Sequence, residues 1–401
     1  MGNIPAIIVG SGLSALGAAR LLGRAGITAY CYGQPQHEAY SRWYTPVPDL
    51  DLEQARPERL AAYLATCPLD TAVLIPASDA AVRAITLLPP DLQARFPASV
   101  SAQRSAEQLT DKALFAEMLE RLGEPGPITR RIDCIEDLQA LPETAFRGSF
   151  LKPTDSGSFM ARFGVKGSAV TSRADAITKA DVALSEGYRL VLQEYIPSTL
   201  DPEGQGPRTD HILIDGFIDR HGRITALFAR RRLRMFPLDF GNTSYMVSIP
   251  ITEVPEAAAS LAHIAQALPC RGIVSGEFKQ DPRDGVYKLL EINSRAWWFV
   301  EYAGRCGVDV CTMSYLDALD LHVEPALQYR TGAKFAHAYY DFHAIRALHR
   351  EGRLGYGEAA RSWIGAQDPW FNWSDPLPAM VDLAKRIDAR RRRSVNRPQT
   401  A

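Results

Sequence analysis

The feature that most constrains the fold is the start of the chain, where apolar segments alternate with segments typical of helices. Residues 4–9 form a continuous apolar run, a Gly-Ser-Gly loop follows at residues 10–12, and residues 14–22 are mostly small and aliphatic. Two more apolar runs lie at residues 27–32 and 72–76. Buried strands that alternate with helices predict a parallel sheet. We therefore expect a parallel α/β domain over about the first hundred residues.

The pattern changes after a helix predicted over residues 111–122. Gly123 and the Pro-Gly-Pro sequence at residues 125–127 end that helix. Helical stretches at residues 173–185 and 256–267 then separate strand-like segments at residues 150–153, 189–195, 211–219, 224–232, 272–279 and 286–292. Strands with helices set to one side are typical of α+β architecture.

Composition excludes several classes of function. Lys+Arg total 45 against Asp+Glu 46, which gives a formal net charge of −1. A protein with this charge lacks the positive electrostatic field that non-specific binding to nucleic acid or an acidic membrane requires. The run Arg390-Arg391-Arg392-Arg393 lacks interleaved aromatic residues and is interpreted as a solvated helix end. No apolar segment reaches the ~20 residues of a membrane helix. We expect no nucleic-acid partner and no membrane partner.

The expected location is the cytoplasm. The first residues lack the basic segment of a signal peptide, and Ala6 stands where N-myristoylation requires Ser or Thr. Six scattered cysteines show no Cys-x-x-Cys spacing, so we interpret them as reduced and mostly buried thiols.

The glycine loop at residues 10–15 fits the dinucleotide-binding pattern G-x-G-x-x-[GA]. Such a site needs an Asp or Glu at the end of the second strand to hold the ribose hydroxyls. That strand ends at Tyr30-Cys31-Tyr32-Gly33-Gln34, without an acid. We therefore interpret the loop as a structural turn, or as one wall of a substrate pocket, rather than as an NAD(P) or FAD site.

The sharpest chemical signal is a predicted hairpin with its turn at residues 281–285. Alternation places Glu277, Lys279, Glu291 and Asn293 on selected faces of its two strands. Two carboxylates and an amide oxygen are hard ligands of the kind that Mg²⁺ prefers when it also holds phosphate oxygens. Such acids often form a solvated strand face. Here the second strand is otherwise apolar, which favours a metal site.

Cations and a small-residue loop surround this signal in sequence. Lys152 ends an apolar strand and leads into residues 153–158, a loop predicted to fold over a phosphate chain. Lys112 and Arg234 lie at the ends of other elements. The apolar segment at residues 190–197 can present backbone groups to a flat heterocycle. Each of these features taken alone is more often structural than functional.

Taken in order, these pieces resemble the ATP-grasp superfamily over residues 111–307. The matching motifs are Asp111-Lys112, residues 150–153, residues 193–197, Arg231-Arg232-Leu233-Arg234 with Pro237, residues 276–278, and residues 291–295. The stretches at residues 232–241 and 39–42 resemble the carboxylate–amine ligase or carboligase group related to biotin carboxylase and the large subunit of carbamoyl-phosphate synthetase.

The resemblance implies a role for each matching residue. ATP would be held by Lys112, Lys152, Ser156, Gly157, Lys166, Gln193, Glu194, Tyr195 and Ile196. Mg²⁺, as two ions that Mn²⁺ can replace, would be held by Glu277, Glu291 and Asn293. Arg234 and Arg295 would be catalytic, because they would neutralise the transferred phosphoryl group. The glycine-rich phosphate loop departs from the family pattern, since Gly157, Gly164 and Gly167 are spread out.

The fold class that follows is an N-terminal parallel α/β (pre-ATP-grasp) domain and an ATP-grasp fold of two α+β subdomains. The predicted division is residues 1–108 for the N-terminal domain, 109–198 for subdomain A, 199–325 for subdomain B with the metal site, and 326–401 for a C-terminal extension.

The function implied is an ATP-dependent ligase that activates a small, amino-acid-like carboxylate as an acyl-phosphate and transfers it to an amine. The expected partners are these two small substrates, with a homodimer left open. Two rivals remain at this point: an ATP-dependent kinase or phosphotransferase acting on a small molecule, and a non-enzymatic ATP sensor.

Overall fold

The computed structural model describes residues 4–198, 210–238 and 241–395. Short 3-10 helices lie at His37–Tyr40, Leu52–Gln54, Pro57–Arg59, Glu143–Phe146 and Ile251–Glu253. Within the described ranges, no helix is both long and apolar enough to cross a bilayer. All six cysteines are free, and only Cys134 is exposed.

The N-terminal region contains a parallel sheet of three strands in the order β2-β1-β3. The strands are β1 (Ala6–Val9), β2 (Ala29–Tyr32) and β3 (Val73–Pro76), and the helices are α1 (Gly12–Arg24), α2 (Leu60–Thr66), α3 (Asp79–Thr86), α4 (Pro90–Arg95) and α5 (Gln103–Thr110). Strand β1 is completely buried, with Ala6 opposite Ala29 and Val73. The predicted parallel α/β domain is confirmed.

A second sheet is antiparallel and has four strands in the order β4-β7-β5-β6. Its strands are β4 (Thr129–Ile132), β5 (Ser149–Pro153), β6 (Ser168–Val170) and β7 (Leu190–Glu194), with helices α6 (Lys112–Leu122), α7 (Ile135–Ala140), α8 (Ser156–Phe163) and α9 (Arg173–Ser185). Helix α6 begins where the Asp111 side chain accepts the N–H groups of Ala113 and Leu114. It ends at Gly123, whose φ of 69° suits glycine.

The third sheet has six strands in the order β12-β11-β8-β9-β10-β13. The strands are β8 (His211–Ile218), β9 (Ile224–Phe236), β10 (Asn242–Ile249), β11 (Gly272–Gln280), β12 (Tyr287–Asn293) and β13 (Lys334–Ala336). Strand β9 runs beyond the predicted end at residue 232. The edge strand β13 comes from the predicted C-terminal extension and pairs with β10.

The two faces of this six-stranded sheet differ in chemistry. One face presents Ile212, Ile214 and Ile218 to an apolar core that includes helix α10 (Pro255–Ala267). On the other face, Asp215 on β8 is paired with Arg230 on β9. Because alternate residues of a strand point to opposite faces, a single strand supplies residues both to this apolar core and to a buried ion pair on the other face.

The remaining helices are α11 (Val300–Arg305), α12 (Val310–Ala318), α13 (Ala338–Arg350), α14 (Tyr356–Trp363) and α15 (Leu377–Val395). Arg20 on α1 is fully buried and connects α11 with the C-terminal extension. Its guanidinium donates to Glu301 at 2.9 Å, to Asp375 at 2.8 Å, and to three backbone carbonyls. The extension is therefore fixed to the N-terminal domain by a charge-assisted network.

Candidate functional site

Three predicted metal ligands share one face at the edge of the six-stranded sheet. Glu277 on β11 lies directly opposite Glu291 on β12, and Ser275 lies opposite Asn293. The Asn293 amide donates to Glu291 Oε1 at 3.0 Å. Glu291 is exposed, whereas Glu277 and Asn293 are partly buried. The hairpin thus directs two carboxylates and one amide toward the same space, as its strand alternation predicted.

Lys152 brings a cation from the four-stranded sheet to this face. Its ammonium donates to Gln193 Oε1 at 2.7 Å. Burial, with a smaller effect of Lys112, lowers the pKa of Lys152 to about 8, although Glu291 and Glu277 act in the opposite direction. Lys152 therefore lies within electrostatic range of Lys112 and of both carboxylates.

The N-terminal domain also contributes to the site. Arg295 donates to Asn293 Oδ1 at 2.9 Å and to Asp79 Oδ1 at 2.9 Å. Asp79 begins α3, immediately beyond the carboxyl end of β3. Sequence reasoning missed Asp79, although ligands of open parallel sheets commonly bind beyond the carboxyl ends of the strands. Hereafter the open cluster denotes Glu277, Glu291, Asn293, Arg295, Lys152 and Lys112.

A second missed residue is Arg232. Its Nη2 lies 2.9 Å from Glu277 Oε1, and its Nε donates to Thr243 at 2.6 Å. Alternation along β9 puts Arg230, Arg232 and Arg234 on one face, so the sequence contained a signal for Arg232. Arg232 contacts a predicted metal ligand directly.

Arg234 has different surroundings from the other predicted catalytic arginine. Its guanidinium forms a bidentate pair with Asp341 on α13, at 2.9 and 2.6 Å, and also donates to Ser362. Both charged side chains are buried. The structure therefore brings Arg295 into the open cluster but directs Arg234 to the C-terminal extension. The physical reason is the buried Asp341, which neutralises Arg234 where it stands.

The segment predicted to hold adenine follows β7. The Ile196 carbonyl accepts from Lys279 Nζ at 2.6 Å, and the same ammonium lies 4.8 Å from the centre of the Tyr195 ring. Glu194 is one of the residues that the resemblance implies would hold ATP. One of its oxygens lies 2.6 Å from Arg283 and the other accepts the N–H of Ile128. Both oxygens are thus engaged within the protein.

The predicted phosphate loop at residues 153–158 is not entirely a loop, because α8 begins at Ser156. This corrects the predicted loop conformation of Ser156 and Gly157, whose backbone lies in the first helical turn, while their role in holding ATP stays a prediction. Their side-chain positions are outside the described part of the structure. Lys166 is exposed in the segment between α8 and β6. Gly167 has a φ of 156°, and a Cβ there would lie 2.8 Å from the Leu151 carbonyl oxygen.

The N-terminal glycine loop is occupied by the protein itself. The Gly12 N–H donates to Glu38 Oε1 at 2.8 Å, and Glu38 is only 2% exposed. A carboxylate therefore takes the position at the N-terminus of α1 that a dinucleotide phosphate needs. This contact agrees with the interpretation of the loop as a structural turn.

The donor set of the open cluster fits magnesium. Among the described residues, no group of three or more His, Cys, Asp or Glu side chains is arranged to hold a metal ion. Two carboxylates and one amide are an incomplete shell for Mg²⁺, which typically takes its remaining oxygen ligands from substrate phosphates and water. Glu277, Glu291 and Asn293 are the residues that would hold it.

Comparisons with known proteins place the fold. No protein-family model matches the chain, and no curated protein matches it. The biotin carboxylase domain of Hydrogenobacter thermophilus 2-oxoglutarate carboxylase, solved with MgADP, ADP and bicarbonate, is similar in structure. Its TM-score is 0.61 at 15% identity, over 82% of this chain and 73% of that chain.

Two further structures are similar. Carboxyaminoimidazole ribonucleotide synthase from Aspergillus clavatus, solved with ATP, has a TM-score of 0.61 at 14% identity, covering 84% of this chain and 82% of that one. The L-amino acid ligase of Bacillus licheniformis has a TM-score of 0.55 at 14% identity, covering 83% and 78%. The chain has the ATP-grasp fold behind an N-terminal α/β domain, which confirms the predicted fold.

Proposed function

We propose that this protein is an ATP- and Mg²⁺-dependent ligase that joins a small carboxylate to an amine. The observation that carries the proposal is the open cluster itself. Hard oxygen ligands from β11 and β12 meet Lys152 from a separate sheet, and Arg295 beside them is linked to Asp79 of the N-terminal domain. Cations next to an incomplete set of magnesium ligands are what a triphosphate site requires. A strand face that is merely solvated does not require them.

The reaction proposed has two steps. A carboxylate oxygen attacks the γ-phosphorus of ATP, the bond to the β-phosphate oxygen breaks, and an acyl-phosphate and ADP form. The amine then attacks the acyl carbon, inorganic phosphate leaves, and the amine loses a proton. The first step is required because a free carboxylate has no leaving group better than oxide. No nucleophilic side chain is needed for either step.

The residues of the chain supply position and charge. Lys152 and Lys112 would bind phosphate oxygens, and Arg295 would face the charge that develops on the transferred phosphoryl group. The backbone at residues 194–196 would hold the adenine. Magnesium, held by Glu277, Glu291 and Asn293, would supply charge neutralisation across the phosphates.

The comparisons support this proposal because the proteins of similar structure include an L-amino acid ligase and a carboxyaminoimidazole ribonucleotide synthase. They support the reaction class and leave both substrates open. The amino-acid-like nature of the carboxylate therefore remains a proposal from the sequence resemblance.

The test uses the purified full-length protein with ATP, Mg²⁺, hydroxylamine and a panel of small carboxylates. A ligase traps the acyl-phosphate as a hydroxamate and releases equal amounts of ADP and phosphate. The Glu291→Gln variant serves as the inactive control. A phosphorylated product that is stable to hydroxylamine would support a kinase instead, and ATP binding without any ADP release would support a sensor.

A further inference from the structure

Helix α15 (Leu377–Val395) directs charged side chains toward the protein. Asp382 is 7% exposed, and its carboxylate accepts the Arg386 Nε–H at 2.6 Å and lies 3.2 Å from His37 Nδ1. The Arg386 guanidinium lies 3.9 Å from the centre of the Tyr339 ring on α13. A surface helix ordinarily turns its apolar side to the core and its charged side to water. On α15 an ion pair occupies the inward side instead.

The outward side of α15 carries a row of large apolar side chains. They are Leu377, Met380, Leu383 and Ile387, which are 53%, 60%, 60% and 46% exposed. Their spacings of three and four residues place them along one side of a helix, over a length of about 15 Å. We name this row the outer stripe. Single exposed apolar residues are ordinary on a protein surface, whereas a contiguous row marks a surface that contacts something else.

An exposed tryptophan precedes the outer stripe along the chain, and a basic run follows it. Trp373 is 89% exposed, and its ring packs edge-on against Phe371 with centroids 4.9 Å apart. The four arginines at residues 390–393 belong to the same helix, beyond Ile387. Helix α15 contains six cationic and two acidic residues, a net charge of +4, although the whole chain has a net charge of −1. The chain therefore has a local excess of positive charge at this helix.

This combination fits an acidic lipid surface better than a second copy of the chain. Helices that lie in a membrane interface have an apolar side, aromatic residues and an excess of Lys and Arg, which anionic headgroups attract. Four side chains on one helix are far less than the roughly 800 Å² that each partner buries in a standard protein–protein interface. Two helices that each carry a charge of +4 would also repel each other.

The sequence could not reveal this surface. The expectation of no membrane partner rested on the net charge of the whole chain and on the lack of a spanning segment. Neither observation concerns a helix that lies along a membrane surface without crossing it. Periodicity shows that α15 has an apolar side, but only the structure shows that this side faces outward.

We propose that α15 binds the surface of a membrane that contains acidic phospholipids. The outer stripe and Trp373 enter the boundary between headgroups and acyl chains, and the cationic residues of the helix provide the attraction to anionic headgroups. The inference concerns where the protein binds and is independent of the proposed ligase function.

The experiment sediments the full-length protein with vesicles of phosphatidylcholine alone and with vesicles that also contain phosphatidylserine. The partition coefficient should be at least about tenfold higher for the mixed vesicles, and should fall as salt is added. Met380→Gln/Leu383→Gln should lower it at least about tenfold, because two of the four apolar side chains are removed. Leu87→Gln/Leu327→Gln is the matched control, since these leucines are 55% and 54% exposed and lie outside α15. Circular dichroism melting verifies that both double variants fold.

Three results would overturn the inference. The first is a lack of sedimentation with either kind of vesicle. The second is binding to the mixed vesicles that Met380→Gln/Leu383→Gln leaves unchanged, because charge alone would then account for it. The third comes from analytical ultracentrifugation without lipid: a dimer that this double variant dissociates, together with no vesicle binding, would assign the outer stripe to a second copy. None of these measurements depends on turnover, so a failure of the ligase proposal is distinguishable from a failure of this one.

Discussion

Two groups of charged side chains on this fold differ in how deeply the protein buries them. Arg20 and Arg234 are buried, and each is paired with a buried carboxylate. We call these two pairs and their hydrogen bonds the closed network. In the open cluster, Glu291 is exposed. Lys152 lies near Lys112 and has a lowered pKa of about 8. A cluster of charges that reaches solvent indicates a place for a ligand, and ion pairs that are fully buried indicate a structural role.

The comparison also separates residues of the same type. Arg234 and Arg295 are both cations on or next to strands of one sheet and both were predicted to be catalytic. Arg234 has a buried carboxylate, a hydroxyl and the Tyr245 ring around it. Arg295 has an amide and a half-exposed carboxylate. The two arginines therefore differ in their surroundings although they are of the same residue type, and the catalytic role of each stays a prediction.

The largest expected effect is on the closed network. Arg234→Met should lower the free energy of unfolding by about 3–5 kcal/mol, because the buried Asp341 carboxylate is left without its cation. Urea denaturation followed by circular dichroism measures this change. The double variant Arg234→Met/Asp341→Leu should recover part of the loss. A stable Arg234→Met protein without turnover would instead return Arg234 to the catalytic residues.

A substitution in the open cluster should reduce turnover without reducing stability. Glu291→Gln keeps the shape of the side chain but removes a charged metal ligand, so turnover should fall at least about a hundredfold. The melting temperature without nucleotide should stay equal or rise, since repulsion from Glu277 is relieved. Glu324→Gln is the control, at a side chain that is 87% exposed. Full turnover with normal Mg²⁺ dependence in Glu291→Gln would refute the ligase proposal.

Lys152→Ala should weaken ATP binding by about ten- to a hundredfold, which corresponds to the ~1.5–3 kcal/mol of a charge-assisted hydrogen bond. Isothermal titration calorimetry measures the affinity directly. Lys179→Ala replaces a more exposed lysine paired with Asp175 and should leave the affinity unchanged. An unchanged affinity in a folded Lys152→Ala protein would remove Lys152 from the site.

The pKa of Lys152 gives a smaller, pH-dependent effect. Phosphate binds the protonated ammonium, so the affinity for ATP should fall as the pH rises through about 8, by about tenfold between pH 7 and 9. Lys152→Arg should lose this dependence, because arginine stays protonated. Without ATP, folding stability should change in the other direction with pH. Burying the charged Lys152 ammonium costs stability at neutral pH, and this cost is relieved as the pH rises from about 8 toward 10.5, where the unfolded chain binds more protons than the folded one.

The last prediction is that the glycine loop at residues 10–15 binds no dinucleotide. NADH and NADPH should not bind, because Glu38 occupies the Gly12 amide at the N-terminus of α1. A fluorescence titration with NADH should be flat, and the purified protein should be colourless, without bound flavin. Saturable enhancement of NADH fluorescence would contradict this prediction. It would show that Glu38 can leave the Gly12 amide and that the glycine loop binds a dinucleotide.

Much of the fold could be predicted from periodicity alone. The apolar run before the glycine loop became β1, residues 173–185 became α9 with the predicted bounds, and the hairpin placed Glu277 opposite Glu291. These features depend on near neighbours in sequence. For the same reason the set Glu277, Glu291 and Asn293 was found without any knowledge of tertiary contacts.

The sequence by itself determined which elements form and which side chains share a strand face, because both follow from local backbone geometry. Only the tertiary structure decided that Arg234 pairs with Asp341 and that Asp79 reaches Arg295. Each of these contacts joins residues from separate elements, and one arginine in a strand pattern looks like another. The partner that meets a charge in space, and the water removed around it, set whether that charge holds the fold together or remains available to a ligand.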